Sequence, residues 1–242
     1  MNNRMKQIFY FLVLFVLITS CSEDSDLSGR EMFFGDDANP NIQIAKNYNA
    51  FATSQRTTLF LENFNNNNNN WPILLPNSMA GQFQYYYINN GKYKMKGDNS
   101  TFYQSSILKT IDQNKDFEIE VSLSIFSNGF ISNNGIAFGH NNIDNGYFIS
   151  VISQSKNLKV TYNSSSGINV EKEFTTNITD YDWANGVPIK ITCRKVNQSM
   201  LFFVNENYLG KIIFEPFVDN YIGLRGLQET HFDYIKIDYL TF

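Results

Sequence analysis

The chain is poor in the residues that build disulfides, metal centres and activated nucleophiles: its 242 residues include two cysteines and two histidines. One cysteine, Cys21, falls at the end of an N-terminal leader, so Cys193 has no partner within the chain and a disulfide-stapled design is excluded. His140 and His231 lie in separate segments, and neither a histidine-rich zinc site nor a Ser-His-Asp arrangement can be assembled from them. Cations are scarce too. The leader holds Arg4 and Lys6 and no acid, so the 19 cations and 23 acids of the whole chain become 17 against 23 without it, an acidic balance that argues against nucleic acid as a partner. No sustained 3.6-residue period occurs, which excludes a helical bundle. The one long apolar run, Ile8 to Ile18, is about half the ~20 residues that a membrane-spanning helix needs.

That run follows Met1 to Lys6, with its two cations, and together they have the n-region and h-region of an export signal over residues 1–20. Ile18-Thr19-Ser20-Cys21 comes next and resembles the lipobox of bacterial lipoproteins: a branched apolar residue, two small ones, then cysteine. The resemblance implies that Cys21 receives diacylglyceryl and holds the mature chain on a membrane, each buried methylene adding about 0.8 kcal/mol. The following Ser22, Glu23, Asp24 and Asp26 resemble the surface-export tag of Bacteroidetes lipoproteins, which implies an outer-membrane, cell-surface location. Residues 21–57 read as the lipidated cysteine and a polar tether, whose small apolar knots Met32-Phe33-Phe34 and Ile42-Gln43-Ile44 can add one strand.

From residue 58 to 242 the texture is short alternating runs between Asn/Gly/Asp/Ser clusters, the pattern of one all-β sandwich. The clearest strand is Phe117 to Ile125, with every odd position apolar and every even one polar; such one-sided alternation predicts an antiparallel sheet. Tyr85 to Met95 reads as a hairpin turning at Asn90-Gly91. Further strands are expected at 59–64, 102–110, 135–138, 147–153, 158–162, 170–174, 188–196, 201–204, 208–214, 221–224 and 232–240. Alternation puts Cys193 on the apolar side as a buried small hydrophobe. The Asn65–Asn70 run reads as a low-complexity surface loop.

Asp182-Trp183-Ala184-Asn185-Gly186, the strand pair Pro188 to Thr192 and Met200 to Asn205, and Leu209-Gly210 resemble the stretch of laminin-G-like and pentraxin-like domains where a tryptophan precedes two antiparallel strands. The opening Leu59 to Phe64 with Trp71, the central strand with Gly135 to Gly139, and the closing Phe232 to Ile237 are similar to lectin and glucanase modules. The resemblance implies a concanavalin A-like jelly roll with two curved antiparallel sheets, the first strand near the last, and a concave face where many members bind carbohydrate. One departure is Asn205-Glu206-Asn207 where members often have Asp-Gly, which predicts a longer hairpin.

A hydrolase of this fold would need two carboxylates about 5–5.5 Å apart for retention. Glu118 and Glu120 project from one strand face about 7 Å apart, but the third acid of laminarinase-like enzymes is absent, so this pair reads as the solvated side of an amphipathic strand and no catalytic residue is expected. The loop His140 to Gly146 reads as a plain hairpin loop. Its oxygen-bearing Asn141, Asp144 and Asn145 are the place where Ca2+ would bind if any ion does, though the ordered acids of an EF-hand are missing and no cofactor is expected. Aromatic residues are 16% of the chain, and rings beside amides suit stacking on sugars. Tyr86 points opposite to Tyr85 and Tyr87, so at least one of the three lies outside the core. Tyr86, Trp183, Asn141, Asp144 and Asn145 are therefore the candidate ligand-binding residues. The expected function is a non-catalytic envelope lipoprotein that binds carbohydrate. The alternatives are a structural or protein-interaction module of an envelope assembly, and a glycan-active hydrolase.

Overall fold

The computed structural model describes residues 39–76, 84–97, 103–126, 133–139, 146–152, 155–163, 169–176 and 185–242. Among them the chain forms β1 (Arg56–Glu62), β2 (Tyr85–Asn89), β3 (Lys92–Lys96), β4 (Tyr103–Leu108), β5 (Asp116–Phe126), β6 (Asn133–Phe138), β7 (Gly146–Ile152), β8 (Asn157–Asn163), β9 (Asn169–Thr175), β10 (Asn185–Val196), β11 (Ser199–Val204), β12 (Asn207–Ile213), β13 (Tyr221–Gly226) and β14 (Glu229–Leu240), preceded by a short helix α1 (Pro40–Ala45). An eight-stranded sheet runs β12-β11-β10-β5-β14-β3-β2, with β1 added on β14, and a six-stranded sheet runs β4-β13-β6-β7-β8-β9. Every strand pair is antiparallel, and β1 pairs with the last strand, from Arg56 opposite Leu240 to Glu62 opposite Ile235. This is the antiparallel β-sandwich that the alternation predicts, in the two-sheet jelly-roll form that the resemblance implies.

The main core lies between the sheets. Phe117, Ile119, Val121, Leu123 and Ile125 of β5 face Ile136 and Phe138, Tyr147, Ile149 and Val151, and Ile222 and Leu224 of the six-stranded sheet, all buried. Cys193 is buried in the same core, as expected, and burial pushes its thiol well above the usual range. Two hairpins show how turn chemistry sets register. Asn90 and Gly91 take φ of 53° and 67° between the paired Asn89 and Lys92, the left-handed pair that a tight primed turn requires. The β11–β12 hairpin corrects an expectation. Its loop is the two residues Asn205 and Glu206, at φ 47° and 69° between the paired Val204 and Asn207, so Asn207 belongs to the strand and the hairpin is no longer than the usual two-residue kind.

A second, smaller core lies on the outside of the eight-stranded sheet. Asn39 caps α1, its Oδ1 accepting from the Asn41 N–H at 2.9 Å, and Pro40 supplies the fixed φ of a first helical position. The segment buries Ile42, Ala45 and Phe51 against Val196, Leu201, Phe203 and Leu240. Residues 39–55, which read as part of a polar tether with one added strand, thus form a helical strap on the sheet rather than a strand in it.

Candidate functional site

The outer face of the six-stranded sheet is set by register. One row crosses it as Ser106, Gly223, Ala137, Phe148, Thr161 and Glu171, and the next as Gln104, Arg225, Gly135, Ser150, Lys159 and Glu173. Their strand neighbours on the other parity are core residues, so these side chains point away from the sandwich. The floor over β13 and β6 is low because a Cβ at Gly135 would lie 2.0 Å from the Ile149 carbonyl oxygen, and one at Gly223 would lie 2.9 Å from that of Ser105. Across this low floor the Arg225 guanidinium reaches the Phe148 ring, 4.9 Å from its centroid. Burial there lowers the Arg225 pKa to about 10, and the group is cationic at neutral pH. The strands β4, β13, β6, β7 and β8 contain no Asp or Glu. Carboxylates enter only on the edge strand β9, where Glu171 pairs with Lys159 at 2.6 Å and Glu173 accepts from the Asn157 amide at 3.2 Å. Chemically this is a donor-rich face with a stacked cation, and the two acids described on it, Glu171 and Glu173, are engaged by Lys159 and Asn157.

The outer face of the eight-stranded sheet overturns the reading of Glu118 and Glu120 as a solvated strand side. Glu118 is buried, 4% exposed, and accepts from the fully buried Arg194 Nε at 2.6 Å and from Arg56 Nη1 at 2.5 Å. Arg194 also donates to the carbonyls of Ala45 (2.6 Å), Asn47 (2.9 Å) and Tyr48 (2.8 Å) in the strap, and its plane lies 4.8 Å from the Phe203 ring centroid. Burial lowers the Arg194 pKa while Glu118 opposes that shift. Glu120 accepts from the hydroxyls of Tyr48 and Tyr234, the latter at 2.6 Å. Burial, then the bond to Glu120, raises both tyrosine pKa values. Asp238 takes Lys236 Nζ at 2.6 Å and the Thr58 hydroxyl at 2.8 Å. A cavity of about 240 Å³ opens beside these groups. Each acid is committed to a cation or a hydroxyl, which suits holding the strap and not proton transfer to a substrate.

Of the residues singled out from sequence, Tyr86 is half-buried and packs against the main core opposite Met95, while Tyr85 and Tyr87 form an edge-on ring pair on the outer face, centroids 5.6 Å apart. The expectation that at least one of the three leaves the core holds, but Tyr86 is not that one. Cys21, Ser22, Glu23, Asp24, Asp26, Asn141, Asp144, Asn145 and Trp183 lie outside the described residues. Among the described residues no three His, Cys, Asp or Glu side chains cluster as a metal site, and no helix is long and apolar enough to cross a membrane. Sequence reasoning missed Arg225, Phe148 and Arg194. Their signal was faint: β7 and β11 are apolar on both parities, which points to outer faces that are partly covered.

No family model matches the sequence, and no curated protein matches it. Solved structures similar to it include the Emp47p carbohydrate recognition domain, 11% identical with a TM-score of 0.56 over 78% of this chain and 99% of that one. An endo-beta-1,3-glucanase from Pyrococcus furiosus is 10% identical with a TM-score of 0.54 over 77% of this chain and 95% of that one. A beta-glucanase of Bacillus licheniformis is 13% identical with a TM-score of 0.52 over 76% of this chain and 98% of that one. The domain therefore has the concanavalin A-like jelly-roll fold, a fold shared by sugar-recognising and sugar-cleaving proteins.

Proposed function

We propose that this chain is a non-catalytic, carbohydrate-binding lipoprotein of the outer membrane, anchored through lipid on Cys21 and carried to the cell surface by the Ser22 to Asp26 tag. The observation that carries the binding part is Arg225 lying on Phe148 on a polar sheet face whose strands, apart from the edge strand β9, have no acid. A guanidinium stacked on a ring is fixed in orientation, and such planar groups are well matched to hydroxyl and carboxylate oxygens. The likeness to a carbohydrate recognition domain and to glucanases supports a sugar as the ligand.

A glycan array with the full chain in detergent tests this. Arg225→Ala is expected to weaken the best glycan about tenfold or more, as loss of a charge-assisted hydrogen bond of about 1.5–3 kcal/mol requires, and Arg225→Lys to recover only part of it. Unchanged affinity in Arg225→Ala, or release of reducing ends from a bound glycan, overturns the reading. The anchor is tested separately. Cys21→Ala should abolish palmitate labelling, and replacing Glu23, Asp24 and Asp26 with Ala should lower accessibility to external protease with labelling intact. Retained labelling in Cys21→Ala removes the anchor.

A further inference from the structure

The strap covers only part of the eight-stranded sheet. Over β2, β3, β14 and the far end of β5 the outward side chains are mostly partly exposed, and the face has a different character from the salt-bridged middle. Tyr87, Lys94, His231 and Ser124 form one row across four strands, and Tyr85 stands opposite Lys96 in the next. The Phe126 ring, 41% exposed, lies 4.5 Å from the His231 ring. Its other side rests on β10 at Gly186, where a Cβ would come 2.4 Å from the ring, so the glycine is what lets Phe126 lie down on the sheet. Two lysines thus stand in a shallow lane walled by the Tyr85–Tyr87 pair on one side and Phe126 with His231 on the other. The lane is three strand spacings wide, about 14 Å, which suits an oligosaccharide rather than a single sugar.

Charge gives the lane its direction. The neighbouring cations on this sheet face each have a carboxylate partner: Lys92 has Asp233 at 2.7 Å, Lys236 has Asp238 at 2.6 Å, Lys190 has Glu206 at 2.9 Å, and Arg56 and Arg194 share Glu118. Among the described residues no carboxylate pairs with Lys94 or Lys96, although the chain as a whole is acidic. Glu229, opposite Phe126 on the same face, is already occupied, with His231 Nε2 at 2.9 Å and a hydrogen bond from the Tyr85 hydroxyl. Burial, opposed by Glu229 and aided by Lys94 and Lys92, lowers the His231 pKa, which favours the neutral ring that packs on Phe126. Lysines that only guard a sheet edge need no aromatic wall on each side.

We propose that this lane is a second glycan site, specific for an acidic polysaccharide whose carboxylates are held by Lys94 and Lys96 and whose sugar rings lie against Tyr87 and Phe126. The proposal rests on the carbohydrate-binding reading above, but uses the opposite sheet. Affinity electrophoresis of the full chain through polygalacturonate, and through its neutral methyl ester, tests it. Retention on the acid form is expected, at least tenfold weaker on the ester, and weaker as salt is raised. In an Arg225→Ala background, which removes the first site's contribution, combined Lys94→Ala and Lys96→Ala should lower the remaining retention at least tenfold, and Tyr87→Ala should lower it severalfold. Retention that survives the lysine changes in that background, vanishes entirely with Arg225→Ala, or is matched on polyphosphate overturns the second site. No retention by any form does so as well, while the neutral-glycan response to Arg225→Ala independently decides the first site.

Discussion

Glu118→Ala is expected to lower the free energy of unfolding by about 3–5 kcal/mol, the cost of stranding a buried partner charge. The change leaves Arg194 fully buried with no carboxylate and takes from Arg56 its closest one, leaving it Asp238 at 3.4 Å. A solvated strand residue would cost no more than about 0.5 kcal/mol, so the two readings of the same glutamate differ severalfold. Urea unfolding decides between them: the midpoint should fall at unchanged slope, and a shift worth less than about 1 kcal/mol would mean that the pair carries no stability. Arg194→Met adds a second readout. Unlike a simple ion pair, which hydrophobic residues often replace at little cost, this guanidinium also serves three strap carbonyls, Ala45, Asn47 and Tyr48. Arg194→Met should therefore release residues 39–55 to protease even in a background that lacks Glu118.

The misreading of Glu118 shows what alternation can and cannot say. The odd-apolar pattern of β5 correctly gives the strand, its direction of facing and its antiparallel partners. It says nothing about what lies on the other side, and here a segment some seventy residues earlier in the chain covers that side. The covering helix is six residues long, less than two turns, too short for a 3.6-residue period to be visible. The stronger hint was in the partner strand. Leu201 and Phe203 are apolar on the parity that β11 turns outward, and both are buried in the strap's small core.

The outer face of the six-stranded sheet was legible in a different way. That the five strands from Tyr103 to Leu108, Asn133 to Phe138, Gly146 to Ile152, Asn157 to Asn163 and Tyr221 to Gly226 have no acid is readable from sequence once they are identified as strands. That they lie side by side is not. β13 inserts between β4 and β6 although some eighty residues separate it from β6, and only that insertion brings Arg225 across Gly135 to Phe148. Glu118 and Glu120, the acids that drew attention from sequence, belong to the other sheet.

Trp71→Ala is expected to cost about 3–5 kcal/mol and, at about 2–4 °C per kcal/mol for a domain of this size, to lower Tm by about 10 °C. The residue is 1% exposed, with ring centroids 5.6 Å from Phe64 and 5.5 Å from Tyr93. Its indole N–H donates to Glu62 Oε2 at 3.2 Å, a buried carboxylate that also accepts from the Phe64 N–H at 2.8 Å and the Asn69 amide at 2.6 Å. The asparagine run before it is therefore not interchangeable filler. Asn67 holds Trp71 by both backbone groups, its Oδ1 accepting from the N–H at 2.7 Å and its Nδ2 donating to the carbonyl at 2.9 Å, and Asn70 takes the left-handed φ of 55° that asparagine tolerates better than most residues. Asn67→Ala should then cost about 1–2 kcal/mol, whereas Asn68→Ala, whose side chain is exposed, should stay within about 0.5 kcal/mol. Equal effects at 67 and 68, measured by thermal unfolding, would return the run to an unspecified surface loop; a loss at 67 alone makes it a built clasp that closes one end of the sandwich over Trp71.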